Sequence, residues 1–131
     1  MGNKNFNYSF KKEERLKSKK LFEKLFTHGV PFFAYPLRII FIEADFTENY
    51  PVKAAFAVSK KNFKKAVSRN LIKRRMREAY RLNKHLLYDK TGEKKLALIF
   101  IYSGKEIESF GQIQNSVIKA INIISDKLDK S

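Results

Sequence analysis

Lys60–Lys84 reads KKNFKKAVSRNLIKRRMREAYRLNK, a run holding eleven of the chain's 28 lysines and arginines and one acid, Glu78. It carries +10 of the protein's net +15, against +5 for residues 1–28, −1 for residues 29–59 and +1 for residues 85–131. No proline or glycine interrupts Ala66 to Asn83, so a helix is predicted there. Wound at about 100° per residue, Ile72, Met76 and Ala79 share one face, with Leu82 at its edge. Arg69, Lys73 and Arg77 follow at four-residue intervals on another face, flanked by Arg74, Arg81 and Lys84. A helix that is merely solvated mixes its signs, because like charges four residues apart repel. One face packed on a sheet and another turned to a polyanion is the reading that this order favours.

The segments on either side complete the fold. Leu37–Ile42 and Val52–Ser59 are rich in β-branched, aromatic and small apolar residues and read as strands. Pro31 and Pro36 bracket an extended entry to the first, and Ala44–Pro51 is a loop with Asp45, Asn49 and Pro51 as turn formers. After the basic helix, Thr91-Gly92 marks a turn within Lys90–Lys95. Leu96–Tyr102, LALIFIY, is apolar on both faces, as in a strand covered on both sides. Ser103 to Glu106 reads as a helix entry, and Phe110, Ile113, Val117, Ile121, Ile124 and Leu128 recur at three and four as one apolar stripe. Upstream, Ser18 is the expected N-cap and Gly29 the expected stop of a short helix through Leu21, Phe22, Leu25 and Phe26. The order is helix, two or three strands, basic helix, strand, helix, an α+β sandwich with helices on a small sheet. Residues 1–14 are expected to form a flexible basic arm and residues 15–131 a single domain.

Composition excludes several classes. At 131 residues with 44% apolar content, the chain can bury a core without staples. It has no cysteine, hence no disulfide framework, thiolate zinc site or cysteine nucleophile. The polar, basic start lacks a secretory h-region, and the longest apolar run is far too short to span a bilayer. A soluble cytoplasmic protein is expected. His28 and His85 are far apart in the chain, and neither Glu13-Glu14 nor Glu106 with Glu108 makes a convincing acid–base pair. No metal site, catalytic residue or organic cofactor is therefore expected from the chain itself.

Ala57-Val58-Ser59-Lys60-Lys61, leading into Ala66-Val67-Ser68-Arg69-Asn70-Leu71-Ile72-Lys73-Arg74 and Arg77-Glu78-Ala79-Tyr80-Arg81, resembles the signature of the bacterial ribonuclease P protein family. Arg15-Leu16, with Phe22, Phe26 and Gly29, is similar to that family's N-terminal pattern. The resemblance spans roughly residues 6–128. Two positions depart from it: Leu71 stands where the motif has arginine, and Lys64 where a glycine is common. The resemblance implies an αβββαβα two-layer sandwich like the second domain of ribosomal protein S5, with a left-handed βαβ crossover. It implies a protein cofactor of a catalytic RNA that matures the 5′ end of precursor tRNA, with Mg2+ bound mainly by the RNA. It further implies that the signature helix and its preceding loop hold the catalytic RNA, through Lys60, Lys61, Lys65, Arg69, Asn70, Lys73, Arg74, Arg77 and Arg81. A cleft between the N-terminal helix and the sheet would take the single-stranded 5′ leader.

Arginine forks suit phosphate, lysine acts as a point charge, and Asn70 adds an amide for a phosphate, a 2′-hydroxyl or a base edge. Leader binding asks for cations beside aromatic faces. Lys17, Lys20, Phe22, Phe26, Arg38, Phe41 and Phe56 are the candidates, with Lys24 and Lys53 nearby, although phenylalanines at such spacing equally suit a core. The partners expected are ribonuclease P RNA and precursor tRNA, with no membrane and no obligate protein. A structural RNA-binding protein of ribosomal type is the main alternative. A DNA-binding helix module is a weaker one, since no helix–turn–helix pair precedes the basic helix. Replacing Arg69 and Lys73 together by Ala is expected to make log affinity for the RNA less steep in log salt by roughly one to two units. A salt titration of binding checks this, and an unchanged slope would turn the row to solvent.

Overall fold

The computed structural model describes residues 8–129 of the chain. Four strands, β1 (Val30–Ala34), β2 (Leu37–Glu43), β3 (Val52–Val58) and β4 (Leu96–Tyr102), form one sheet in the order β1-β2-β4-β3. The β1–β2 and β2–β4 pairs are antiparallel, whereas β3 and β4 are parallel. The connection from β3 to β4 carries α2 (Ala66–Asn83) and α3 (His85–Thr91); α1 (Lys19–His28) precedes the sheet and α4 (Phe110–Asp129) follows it. The α+β class and the element order expected from the sequence hold.

Alternation along the strands divides the core in two. Leu37, Ile39 and Phe41 of β2 and Leu96, Leu98, Phe100 and Tyr102 of β4 join Ile72, Met76, Ala79 and Tyr80 of α2 and the stripe of α4. On the opposite face Ile40, Ala97 and Ile99 pack under Leu25 of α1 and Leu16. β4 is thus covered on both sides, as its continuous apolar sequence requires. α1 shields only part of its face: Ala55, Ala57 and Ile101 remain half-buried and Arg38 exposed.

Local chemistry sets the helix ends. Ser18 Oγ accepts a hydrogen bond from Leu21 N at 3.3 Å, so the N-cap forms as expected. Gly29 ends α1, but its φ of −71° is open to any residue. Its need for glycine is spatial: a Cβ there would lie 2.3 Å from Leu25 O and 2.6 Å from Ile40 Cγ2. Gly92, at φ 59°, is the position that uses glycine's conformational freedom. No non-glycine residue described has positive φ, so Lys64 occupies its position without backbone strain.

Three sequence expectations shift. The entry to α4 is Ser109 rather than Ser103–Glu106: Ser109 Oγ accepts from Gln112 N at 3.2 Å and its carbonyl from Ile113 N at 3.1 Å. The short helix α3 replaces part of the stretch read as turn, which narrows to Thr91–Lys94. Within the arm expected over residues 1–14, residues 8–14 are seated against the fold, and residues 1–7 lie outside the described residues.

That seat is a buried ion pair. Lys84, the residue between α2 and α3, is about 1% exposed, as is Glu14, and its ammonium pairs with the Glu14 carboxylate and donates to Ser9 O. Tyr88 OH donates to the same carboxylate oxygen at 2.5 Å. Phe10 inserts edge-on between Phe56 and Tyr80, with centroids 5.8 and 5.9 Å away. Leu16 N then donates to Ala54 O at 2.9 Å, laying Arg15-Leu16 along the outer edge of β3. Removing one partner of a buried pair strands the other charge. Glu14→Ala is expected to destabilise the fold by about 3–5 kcal/mol, read by denaturant unfolding. Glu14→Ala combined with Lys84→Met should recover much of that loss.

Candidate nucleic-acid interface

α1 presents two different flanks. Leu21 and Leu25 point to the sheet; Phe22 and Phe26 lie to one side of them, Lys20 and Lys24 to the other. Phe22 and Phe26 stack with ring centroids 6.4 Å apart and planes 15° apart, and Phe26 is 56% exposed. Beside Phe22 opens a cleft of about 420 Å³. Its walls are Phe10, Arg15, Leu16 and Lys17 of the N-terminal segment, Ala54, Ala55 and Phe56 of β3, and Lys73 and Arg77 of α2. Four cations and no acid line it, so its field favours an anion.

The residues predicted for leader contact separate accordingly. Lys17, Phe22 and Phe56 line the cleft, and Phe26 extends its aromatic side. Phe56 contributes an edge, because its face stacks on Phe100 with centroids 5.5 Å apart and planes 6° apart. Phe41 does not belong to the cleft. It projects to the other face of the sheet, is 6% exposed and packs edge-on against Phe32 at 6.1 Å. Alternation decides this: Phe41 shares the parity of Leu37 and Ile39, which face α2 and α4. Lys20 is on the flank of α1 turned away from Phe22, where Lys24 lines a separate cavity with Glu43 and Glu93. Lys53 is committed to Glu48 at 3.1 Å and lies over the Phe46 ring. Arg38 is exposed on the α1 face of β2.

The cationic row of α2 also divides. Arg69 Nη1 donates to Phe63 O and Lys64 O, both at 2.8 Å, and holds the loop that enters the helix. Arg81 forms a two-point pair with Glu78, Nε to Oε1 at 3.0 Å and Nη2 to Oε2 at 2.6 Å, and its Nη1 donates to Tyr8 O at 3.1 Å. The Glu78 carboxyl is consequently held below its ordinary pKa by the Arg81 hydrogen bonds. Arg75 ties the helix to the α4 approach, donating to Glu108 O at 2.6 Å. Lys73, Arg74 and Arg77 form no ion pair among the described residues, and Lys73 and Arg77 face the cleft. Lys60, Lys61, Lys65 and Asn70 are exposed at the start of the helix and in the loop before it.

Sequence reasoning missed Phe10 and Arg15 as cleft walls, since both fell in or beside the presumed arm. Their sign was the Phe10 aromatic set five residues before the Arg15-Leu16 pair. It also separated Lys73 and Arg77 from the cleft, although the fold brings them to it. Among the described residues no group of three or more His, Cys, Asp or Glu could hold a metal ion, and no helix is long and apolar enough to cross a membrane.

A small α+β domain with an acid-free cationic cleft, aromatic on one side and bordered by a basic helix, defines a class of RNA-binding protein. The comparisons narrow it. The family model described as Ribonuclease P matches residues 10–125. The Ribonuclease P protein component of Porphyromonas gingivalis is 32% identical over 127 residues, covering 95% of this chain and 92% of that protein. The namesake protein of Chlorobium phaeobacteroides is 32% identical over 128 residues, with 88% of each covered. Among solved structures, the RNase P protein of Staphylococcus aureus superposes with a TM-score of 0.67 at 24% identity, over 85% of this chain and 94% of that one. That of Thermotoga maritima also gives 0.67, at 23% identity over 84% and 96%. This chain belongs to the ribonuclease P protein family, with an RNA as its partner and tRNA 5′-end maturation as its task.

Two phenylalanines separate core from cleft. Phe41→Ala is expected to cost about 3–5 kcal/mol of stability, the scale of a buried aromatic truncation. Phe22→Ala should lower the unfolding midpoint far less while weakening single-stranded RNA binding by roughly tenfold, the scale of one lost base stack. Thermal unfolding alongside a fluorescence binding assay reads both.

Proposed function

We propose that the chain serves as the protein cofactor of a catalytic RNA, gripping the 5′ leader of precursor tRNA in the cleft while the loop and outer face of α2 hold the RNA. The acid-free cleft carries this reading: Arg15, Lys17, Lys73 and Arg77 converge beside the Phe22–Phe26 stack. Cations neutralise the leader backbone, and the rings offer faces to its bases without selecting among them. Lys60, Lys61, Lys65, Asn70 and Arg74 stand outward of the cleft for the second RNA, with Arg69 supporting their loop through its bonds to Phe63 and Lys64.

The chain supplies positioning and charge neutralisation rather than a nucleophile or general base. Two RNAs crowded together repel, and cations between them lower the cost of holding substrate at the catalytic centre. The cleft walls and the α2 row offer no carboxylate to a divalent cation, so the Mg2+ that supports phosphodiester hydrolysis is assigned to the RNA. The complex would work in the cytoplasm without an obligate protein partner. A purely structural role of ribosomal type would leave the half-exposed Phe26 and its stacked neighbour unused.

The test is reconstitution with a bacterial ribonuclease P RNA and precursor tRNA at low Mg2+. The chain is expected to raise 5′ cleavage over RNA alone, and Lys73→Ala with Arg77→Ala to weaken leader-bearing substrate more than mature tRNA. Equal cleavage with and without the chain would exclude the role.

A further inference from the structure

We infer that the groove does not end at Phe22 but crosses the sheet to a second platform at its β1 edge, where Phe33 and Arg38 hold single-stranded RNA. The inference rests on the leader reading above and extends it.

Strand register carries it. Phe33 of β1 lies opposite Arg38 of β2, Arg38 opposite Ile101 of β4, and Ile101 opposite Ala57 of β3. Directly paired residues share a face, so these four make one transverse row across the sheet. It is the α1 face, because Ile40 and Ala55, two residues along from Arg38 and Ala57, belong to the cluster beneath α1. α1 leaves this row open: Ala57 and Ile101 are half-buried, Arg38 is exposed, and Phe33 is 68% exposed. The flank of α1 bearing Phe22 and Phe26 borders it, and Ala55 connects the row to the cleft.

The chemistry suits a nucleic-acid strand better than a protein or lipid surface. The floor is apolar and smooth, with a cation and a large exposed ring at its far end. Arg38 and Phe33 form no ion pair, hydrogen bond or ring contact among the described residues, so both are free to engage a ligand. A guanidinium and a phenyl ring set side by side provide a phosphate contact and a stacking face. Three inter-strand spacings of about 4.8 Å give the row a length of roughly 14 Å. That accommodates about four nucleotides at a stacked spacing of ~3.4 Å, and fewer if they are extended. Continuity with an acid-free cleft at one end and Arg38 at the other gives the path one sign of charge.

The experiment uses the chain reconstituted with ribonuclease P RNA and precursor tRNAs whose leaders lengthen one nucleotide at a time. The unaltered chain is expected to gain affinity in two stages, the first filling the cleft and the second reaching the β1 edge. In Phe33→Ala the ratio of affinity for the longest leader to that for the shortest should fall by roughly tenfold, the scale of one lost base stack. Phe33→Tyr should retain the ratio, since its ring face survives, and Arg38→Gln should reduce both the ratio and its salt dependence. If affinity rises through both stages equally in Phe33→Ala and the unaltered chain, the platform is refuted while the cleft stands. If leader length has no effect on the unaltered chain, the leader reading itself fails and the platform with it. Should Phe33→Ala unfold, judged by its melting curve, the Arg38→Gln ratio decides, and an unchanged ratio overturns the inference.

Discussion

β3 and β4 run side by side in the same direction, and parallel neighbours cannot be joined by a tight turn. The chain must leave the end of β3, travel back along the sheet and re-enter beside it. α2 and α3 make that return. Everything distinctive about the surface follows from where the return helix lies. Its apolar face, Ile72, Met76, Ala79 and Tyr80, is taken up by the sheet, which leaves its cations for the outside and for the margin of β3. The end of α2 delivers Lys84 into the interior, where Glu14 meets it. That meeting fixes the N-terminal segment along β3 and supplies the remaining wall of the cleft.

Charge density alone says little about which cations are available to a partner. Within α2, Arg69, Arg75 and Arg81 spend donors on the protein's own carbonyls or on Glu78, while Lys73, Arg74 and Arg77 are left outward. The first group rigidifies the loop, the approach to α4 and the N-terminal segment around the second. A single acid on so basic a helix has a specific use: Glu78 orients the Arg81 guanidinium toward Tyr8 O. Such a helix would repel itself in isolation, and its packed face together with these internal bonds offsets that repulsion.

Much of this was legible in the residue order. Element sequence, the doubly covered strand LALIFIY and the two-faced basic helix follow from periodicity, which reports directly on burial. Phe41 was misassigned because a strand shows which residues share a face but not which face the groove occupies. Only the partners Leu37 and Ile39, packed beneath α2 and α4, settle that. Gly29 was placed correctly at a helix end for a reason that local sequence does not contain, the approach of Ile40 from another element. The burial of Glu14 was hidden for the same cause: an acid beside lysines in a polar stretch looks solvated until Lys84 arrives from far along the chain.

The pair Glu14–Lys84 joins positions 70 residues apart, and this has a consequence for the order of assembly. Contacts closed over long separations form only after the intervening chain has been organised. As the polypeptide is synthesised from its N-terminus, α1 can form early, but the cleft has no second wall before α2 exists. The sheet beneath it has no centre before β4 slips between β2 and β3. The binding groove is therefore a late product of folding, and a nascent chain lacking Leu96–Tyr102 has no groove to offer RNA.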